Sequence, residues 1–192
     1  RRLHHSVATL RKTLGGKEFL RRNGEYYSLA PPAGTWIDIA SFEQLCNRAK
    51  VLARSGRDDE AVALLDAADR LYSGELFEDL PEEYFSGEVE DWLVPRRVWL
   101  QEMAIKVQRD KAVILRGKGR LREALACCQK ALAMDPASEI AHAEVMQIFH
   151  AQGRTETMMR QYRQFRASQA AIGAESESSE VDELYRELLA KG

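Results

Sequence analysis

A Gly-Arg pair that recurs at regular spacing constrains the fold of this chain more than any other feature. The three copies are Gly56-Arg57, Gly119-Arg120 and Gly153-Arg154, followed at the same two offsets by Ala61 and Ala68, Ala124 and Ala131, and Met158 and Phe165. The second and third copies lie 34 residues apart, and the first two lie 63 apart, which is one such period plus a 29-residue insertion. Glycine ends helices, and small residues let two helices approach closely. The repeat therefore predicts an array of helical hairpins.

Hydrophobic residues at spacings of three and four predict where the helices lie. We expect them at about residues 41–55, 58–72, 90–116, 120–134, 138–152, 154–171 and 178–190. Ser41 and Gln44 have the spacing of a capping box at the start of the first helix, and residues 36–39 favour a short strand before it. The last helix would cap the array after a Ser/Glu-rich loop at 175–179, because a stack of hairpins needs a polar outer end.

The middle copy of the repeat is the most complete. Its Gly119, Ala124 and Ala131, followed by Asp135-Pro136 at the end of the second helix, resemble the tetratricopeptide repeat, which also has a period of 34 residues. This resemblance implies a mainly α fold in which consecutive helical hairpins stack side by side. His142 would then pack between helices.

Charge is distributed unevenly along the chain. Residues 1–25 contain seven Lys or Arg and two Glu, a net charge of +5, whereas the whole chain carries −2. A basic end favours a polyanionic partner, because cations gain affinity by releasing the counterions condensed on phosphates. A solvated basic helix would show the same charge. Between residues 73 and 92 eight carboxylates occur without any Lys or Arg, so this segment should avoid nucleic acid, as either a solvated loop or a surface for a basic partner.

The basic end begins with an amphipathic helix. Leu3, Val7, Leu10 and Leu14 follow one another at spacings of four, three and four, which predicts one buried face. The opposite face carries Arg1, His5, Thr9 and Lys12, with Arg2 at its edge, and we expect these residues and Ser6 to face DNA. Such a surface suits phosphates and the base edges of a DNA major groove. Gly15-Gly16 would end the helix.

A β-hairpin is predicted directly after this helix. Two short runs, at residues 17–22 and 25–29, flank Asn23-Gly24, the dipeptide most typical of a type I′ turn. Arg21 and Arg22 lie beside the turn. A helix followed by a hairpin with arginines at its tip is the second half of a winged helix, in which the helix reads the major groove and the wing reaches the DNA backbone or minor groove.

Two stretches of this region resemble OmpR-type winged-helix regulators. Residues 3–14, with an L-R-[RK]-x-L ending, are similar to the end of that family's recognition helix, and residues 23–29 are similar to its G-x-G-Y-x-L wing. This chain departs from the wing pattern, with Asn for the first Gly and Tyr-Tyr for the Gly-Tyr pair. The strands and helices that precede the recognition helix in the family are not in this sequence, and no Met opens it, so we expect a piece of a longer protein.

The order of motifs along the rest of the chain resembles the bacterial transcriptional activator domain. They are W-I-D-I-x-x-F-E at residues 36–43, Y-S-G-E-L at 72–76, D-W-L-x-x-R-R-x-W-L at 91–100, A-L-A-M-D-P-x-x-E-x-A-H at 131–142 and M-R-Q-Y at 159–162. This domain follows the winged helix in antibiotic regulatory proteins and related bacterial regulators. The resemblance implies the end of a winged helix at 1–30, a linker or strand at 31–40 and a tetratricopeptide-like domain at 41–192.

Motifs for catalysis, phosphate binding or metal binding are absent from the sequence. No G-x-x-x-x-G-K-[ST] or G-x-G-x-x-G occurs, and the His residues lack the spacing of a metal site. We therefore expect no enzymatic activity, no cofactor and no metal. Cys46, Cys127 and Cys128 are an odd number of cysteines, so we expect no disulfide framework. No apolar run approaches the roughly 20 residues that span a membrane. These features predict a cytoplasmic protein.

The favoured hypothesis is a fragment of a bacterial transcriptional activator that binds DNA through a winged helix and uses its helical repeats for dimerisation or signal coupling. Its expected partners are DNA, a second copy of the chain, an upstream signalling or ATPase module and RNA polymerase. The alternative is a tetratricopeptide-type interaction module that binds a peptide or subunit and leaves the basic helix solvated. A third hypothesis is a small-effector site in the repeat groove, although no polar constellation identifies one.

Overall fold

The computed structural model describes residues 2–81, 88–174 and 179–191 of the chain. The chain divides into two compact units, Arg1–Asp38 and Ile39–Gly192. The first contains one helix and a β-hairpin, and the second is helical. Each unit is built from elements that lie next to one another in the sequence.

The first unit is a helix followed by a two-stranded hairpin. Helix α1 spans Arg2–Thr13. It is closed as predicted, because Gly15 has a left-handed φ of 88° and the Gly16 amide donates to the Arg11 carbonyl oxygen at 3.0 Å. The chain then makes a 3-10 turn where the first strand was expected to begin. This turn spans Lys17–Phe19, and the strands are β1 (Leu20–Asn23) and β2 (Tyr26–Leu29).

The hairpin turn lies one residue later than predicted. Asn23 pairs with Tyr26 in the antiparallel ladder, so the two turn residues are Gly24 and Glu25. A type I′ turn needs a positive φ at both of them. Gly24 has a φ of 64°, but the one non-glycine residue with a positive φ in the described part of the chain is Phe77. The type I′ prediction at Asn23-Gly24 was therefore wrong, and the glycine instead has the placement it takes in a type II′ turn.

Seven helices follow the hairpin in the residues that the structure describes. They are α2 (Asp38–Arg54), α3 (Asp58–Leu71), α4 (Glu88–Gly117), α5 (Leu121–Met134), α6 (Glu139–Ala151), α7 (Thr155–Ala171) and α8 (Glu180–Ala190). These bounds lie within a few residues of the predicted ones. The prediction of a mainly α fold is confirmed.

The first helix of this array begins earlier than predicted. Residues 36–39 do not form a strand, because Trp36 and Ile37 have no regular structure and α2 starts at Asp38. A strand needs a partner, and the sheet in the described residues consists of β1 and β2 alone. Asp38 places a carboxylate in the first turn, where the helix dipole favours negative charge. The predicted capping box was also wrong, since Ser41 lies inside α2.

The three Gly-Arg pairs form the same turn. Gly56, Gly119 and Gly153 have φ angles of 72°, 73° and 67°. The amide of the arginine after each glycine donates to a carbonyl oxygen five residues earlier, at 3.0, 2.8 and 2.9 Å. This is the long bond of a Schellman cap, and glycine is the residue that accepts the left-handed backbone with least strain. Each pair therefore ends one helix just before the next begins, as the repeat predicts.

The two positions that follow each Gly-Arg pair are buried in every copy. The four alanines are fully buried, and Met158 and Phe165 are at most 1% exposed. The core has one main part between α2, α3 and α4 and another between the end of α4 and α5–α8. Helix α4 therefore joins the two parts of the core.

The insertion in the repeat lies between α3 and α4. Arg97 on α4 fixes its first half, because Nε donates to the Leu76 carbonyl oxygen at 2.8 Å and Nη2 to the Phe77 carbonyl oxygen at 3.2 Å. The acidic side chains of Glu75, Glu78 and Asp79 are exposed around this anchor. Two other acidic residues of this segment, Glu82 and Glu83, lie outside the described residues, and so does the side chain of Glu88.

Candidate nucleic-acid interface

Helix α1 carries most of the residues predicted to contact DNA. His5, Thr9 and Lys12 share one exposed face, and Ser6 is exposed beside them. The Thr9 hydroxyl donates to the His5 carbonyl oxygen at 3.0 Å, which holds this side chain against the helix. Arg2 lies in α1, but its side chain, like the whole of Arg1, lies outside the described residues. The described part of the face presents imidazole, hydroxyl and ammonium groups.

The opposite face of α1 is only partly buried in its described part, which does not include the Leu3 side chain. Val7 is 6% exposed and Leu14 is half-buried, in line with the prediction, but Leu10 is 48% exposed. The predicted continuous buried face was therefore wrong at Leu10. Within the first unit, α1 packs on the 3-10 turn that follows it, and so short an element has too little surface to cover a whole helix face.

Arg21 and Arg22 lie on opposite faces of the hairpin. Both are exposed residues of β1, in which successive side chains alternate between faces. Arg22 shares a face with Leu20, which is 8% exposed, and its Nε donates to the Gly24 carbonyl oxygen at 2.9 Å. Arg21 points to the other face and makes no side-chain hydrogen bond within the described residues. The Arg22 side chain is therefore held against the turn by a hydrogen bond, whereas the Arg21 side chain is not.

Sequence reasoning missed the role of Arg11, which joins α1 to the hairpin. Its side chain is half-buried, and its guanidinium carbon lies 6.0 Å from the centroid of the Tyr27 ring, at the outer limit of a cation–π contact. Tyr27 pairs with Arg22 across the hairpin. Arg11 is thus a positioning residue for the hairpin. The L-R-[RK]-x-L pattern contained it but did not separate its role from that of Lys12.

Buried carboxylates in the helical unit are paired inside the protein. The Glu144 side chain is 4% exposed and accepts from Arg116 Nε at 2.6 Å. Asp182 accepts from the Tyr162 hydroxyl at 2.6 Å and from the Ser179 amide at 2.8 Å. Burial by itself would raise the pKa of Asp182, but these bonds hold it below its ordinary value. Both carboxylates therefore join helices and are not free to bind a ligand.

His142 packs between α6 and α7, as predicted. It is fully buried, and its ring lies 5.4 Å from the Phe165 ring. Because a carbonyl oxygen can only accept, Nε2 donates to Pro136 at 2.9 Å, and Nδ1 is left to accept from the Gln161 amide at 2.7 Å. Burial lowers the pKa of His142. The imidazole is neutral, and both of its nitrogens are occupied.

Two open clefts flank α4. One, of about 460 Å³, lies between α3 and α5 and contains Asp69, which accepts from Lys111, Lys130 and Gln108. Burial would raise the pKa of Asp69, but the hydrogen bonds from the two lysines hold it below its ordinary value. The other cleft, of about 370 Å³, lies between α2 and α4. We call it the α2–α4 groove.

The cysteines are free thiols, in line with the prediction. Burial raises the pKa of Cys46 to about 11 and that of Cys128 to about 12, so both are neutral at pH 7. In the part of the chain that the structure describes, no group of three His, Cys, Asp or Glu residues could hold a metal ion. The described helices also include none that combines the length and the apolar surface needed to span a membrane.

A family model for the bacterial transcriptional activator domain matches residues 37–189. The match covers the helical array almost from end to end and includes all three Gly-Arg turns. The chain belongs to the bacterial transcriptional activator domain family. This confirms the resemblance in the order of motifs, and it places the chain in a family of transcriptional activators.

Solved structures support the fold of this activator domain. Mycobacterium tuberculosis EmbR, in complex with a low-affinity phosphopeptide, matches with a TM-score of 0.80 and 21% identity, over 98% of this chain and 49% of EmbR. The chain thus spans about half the length of that protein. The C-terminal tetratricopeptide-containing domain of a Plasmodium falciparum FK506-binding protein matches with a TM-score of 0.55 and 11% identity, over 81% of this chain and 93% of the domain. No curated protein sequence matches the chain.

Proposed function

We propose that this chain is part of a bacterial transcriptional activator that binds DNA through a winged helix. One observation carries the proposal: in a member of an activator family, an exposed polar face on α1 is followed by a hairpin with an exposed arginine on each face. The winged-helix part would span 1–30 and the linker 31–40. The helical domain at 41–192 would support dimerisation or couple a signal to activation.

The proposed contacts follow from the chemistry of each side chain. The α1 face would enter the major groove, where hydroxyl, imidazole and cationic groups bond base edges and phosphates. The residues for this role are Arg1, Arg2, His5, Ser6, Thr9 and Lys12. Arg21 and Arg22 would contact phosphates or the minor groove. Because Arg22 is tied to the turn, we expect Arg21 to contribute more to affinity.

The proposed partners of the intact protein are DNA, a second copy of the chain, an upstream signalling or ATPase module and RNA polymerase. Membership of an activator family supports these partners. A protein that binds bacterial DNA would act in the cytoplasm, where that DNA is transcribed. A protein-interaction module without DNA binding is the alternative function.

A mobility-shift titration of the full-length protein on the DNA upstream of its own gene tests the proposal. With about five phosphate contacts, log K should fall against log salt with a slope of about −4.5, because each contact contributes about −0.9. The Arg21→Ala/Arg22→Ala variant should bind more weakly. Its slope should be about −2.7, since two contacts are lost.

A matched control removes two exposed arginines from α7. Arg160→Ala/Arg163→Ala changes the net charge equally and should bind DNA as the wild type does. A salt-independent affinity, or an equal loss in the two variants, would contradict the proposal. If no form binds DNA, the function moves to the interaction module.

A further inference from the structure

The α2–α4 groove is a second candidate site, and it lies within the helical unit. Its volume of about 370 Å³ lies in the range of ligand-binding pockets, which begins at about 300 Å³. A smaller recess of about 70 Å³ continues it along the same two helices, and the two share Lys50, Leu65, Lys106 and Asp110 as lining residues. The groove is therefore elongated along the helices.

Both rims of the groove are cationic. Lys50 and Arg54 line it from α2, and Lys106 and Arg109 line it from α4. The first three are exposed and take part in no ion pair within the described residues. Arg109 Nε lies 2.9 Å from Oδ1 of Asp110, the carboxylate in the described lining of the groove. The described lining of the groove thus contains four cations and one carboxylate.

The helix alone accounts for only part of this charge, since Arg54 lies in the last turn of α2, where the helix dipole favours a cation. Lys50 and Arg54 are four residues apart on α2, and like charges at that spacing destabilise a helix. The half-buried Arg116 of the same unit is instead paired with Glu144, with nitrogen and oxygen 2.6 Å apart. Lys50, Arg54 and Lys106 form no ion pair within the described residues, so their charges remain available to an anionic ligand.

The floor of the groove is apolar. Ala49 and Leu65 are 1% and 3% exposed, and Val113 on the α4 side is 38% exposed. On α2, Ala49 and Ala53 directly precede Lys50 and Arg54 in the sequence. Their small side chains leave the groove open beside the two cations. A ligand that fits must carry both anionic and apolar groups.

We propose that the α2–α4 groove binds an extended acidic segment of a partner protein. Carboxylates of the segment contact Lys50, Arg54 and Lys106, and apolar side chains between them lie on the floor. An extended chain suits this geometry because successive side chains point to opposite sides. Duplex DNA suits it less, because DNA is read by elements that project into its grooves, whereas this site is recessed and has an apolar floor. The inference is independent of DNA binding by α1 and the hairpin.

Fluorescence anisotropy with a labelled peptide and the whole given sequence of 192 residues tests the proposal. The probe is a nine-residue peptide, Asp-Leu-Glu-Ala-Asp-Leu-Glu-Ala-Asp, with blocked ends. The control probe replaces each acid by its amide. We expect the acidic peptide to bind, its affinity to fall as salt rises, and the amide peptide not to bind.

Variants locate the binding. Lys50→Gln/Lys106→Gln removes one cation from each rim and should weaken peptide binding at least about tenfold, which corresponds to the loss of charge-assisted contacts. Arg160→Gln/Arg163→Gln removes the same charge from the exposed face of α7 and should bind as the wild type does. Ala53→Leu fills part of the groove with a larger side chain without a change in charge, so it should also weaken peptide binding. Circular dichroism and thermal unfolding verify that each variant folds.

Several results would overturn the proposal. One is an equal loss of affinity in Lys50→Gln/Lys106→Gln, which we call the groove variant, and in Arg160→Gln/Arg163→Gln. The others are unchanged peptide binding in the groove variant and no binding by the wild type at about 1 mM peptide. If the wild type binds a DNA duplex of random sequence and only the groove variant loses this binding, the groove is a nucleic-acid surface. If the groove variant converts a dimer to a monomer in sedimentation velocity, and a peptide of residues 73–92 competes for the groove, the occupant is a second copy.

Discussion

In the C-terminal hairpins, formed by α5–α8, the buried carboxylates bind partners inside the protein. In the α2–α4 groove, by contrast, three of the four cations are exposed and form no ion pair within the described residues. Glu144 and Asp182 each bind side chains of a neighbouring helix. Lys50, Arg54 and Lys106 bind none within the described residues. The same helical-hairpin architecture therefore uses charge to hold helices together in one region and leaves it accessible in the other.

This difference has a direct energetic consequence. Removing one partner of a buried pair leaves the other desolvated and unpaired, which is strongly destabilising. Removing an exposed charge changes stability little, because water solvates what remains. Mutations should therefore separate the two regions by their effect on unfolding, and three measurements test how far the contrast holds.

The largest effect is expected at Asp182. Its carboxylate accepts from Tyr162, from the Ser179 amide and, at 3.4 Å, from Arg166. Asp182→Ala removes these bonds and with them one half of the capping box of α8, whose N-cap is Ser179, so the free energy of unfolding should fall by about 3 kcal/mol. Urea unfolding measures this loss. Asp59→Ala is the control, because Asp59 pairs with Lys118 at the surface, and a similar loss there would break the contrast.

A smaller effect is expected at Glu144. Glu144→Ala leaves the half-buried Arg116 without its partner, which should cost about 2 kcal/mol. Glu123 offers a matched comparison, since it also binds an arginine through both oxygens, but at the surface. Glu123→Ala should change the urea midpoint far less than Glu144→Ala. Equal urea midpoints of the two variants would mean that burial does not determine how much these ion pairs stabilise the fold.

The smallest effect concerns His142 and depends on pH. Because burial lowers its pKa below 6.5 in the folded state, the unfolded chain takes up a proton first as the pH falls. The stabilising contribution is present above pH 6.5 and is lost below it, with a slope of at most about 1.4 kcal/mol per pH unit. Urea unfolding between pH 5 and 7.5 measures the slope, and His142→Gln should flatten it. Equal slopes in both proteins would show that His142 is not held neutral.

The helical array could be predicted from the sequence because its signals are local. Each turn is formed within a short stretch of chain. A glycine takes a left-handed φ, and the amide of the next residue, an arginine, donates to a carbonyl oxygen five residues earlier. A buried residue, small in two of the three copies, follows four positions after the arginine. Gly119 to Ala124 shows this pattern, and the other two copies repeat the turn. The backbone needs no information from elsewhere to form it.

The predictions that failed depend on a partner outside the stretch that was considered. Residues 36–39 favour a strand by composition, but no strand pairs with them in the described residues, and Asp38 starts a helix. Leu10 follows the periodicity of a buried face, but the first unit has too little surface to cover it. The Asn23-Gly24 turn moved by one residue because cross-strand pairing joined Asn23 to Tyr26.

The candidate sites show the same limit. The DNA-contact residues remain a prediction from sequence and family resemblance. The structure of the hairpin showed that Arg21 and Arg22 lie on opposite faces and that Arg22 alone of the two bonds the turn. The groove could not be predicted, because Lys50 and Lys106 lie on different helices, far apart along the chain. Like charges at positions 50 and 54 were the one local signal, and they do not reveal what lies opposite.

By itself, the sequence determined the repeat, its turns, the helical class and the family to which this chain belongs. The tertiary structure decided which charges are matched and which are left at the surface. The physical reason is range: a turn or a helix depends on neighbours within a few residues, whereas the pairing of a charge depends on whichever helix packs across from it.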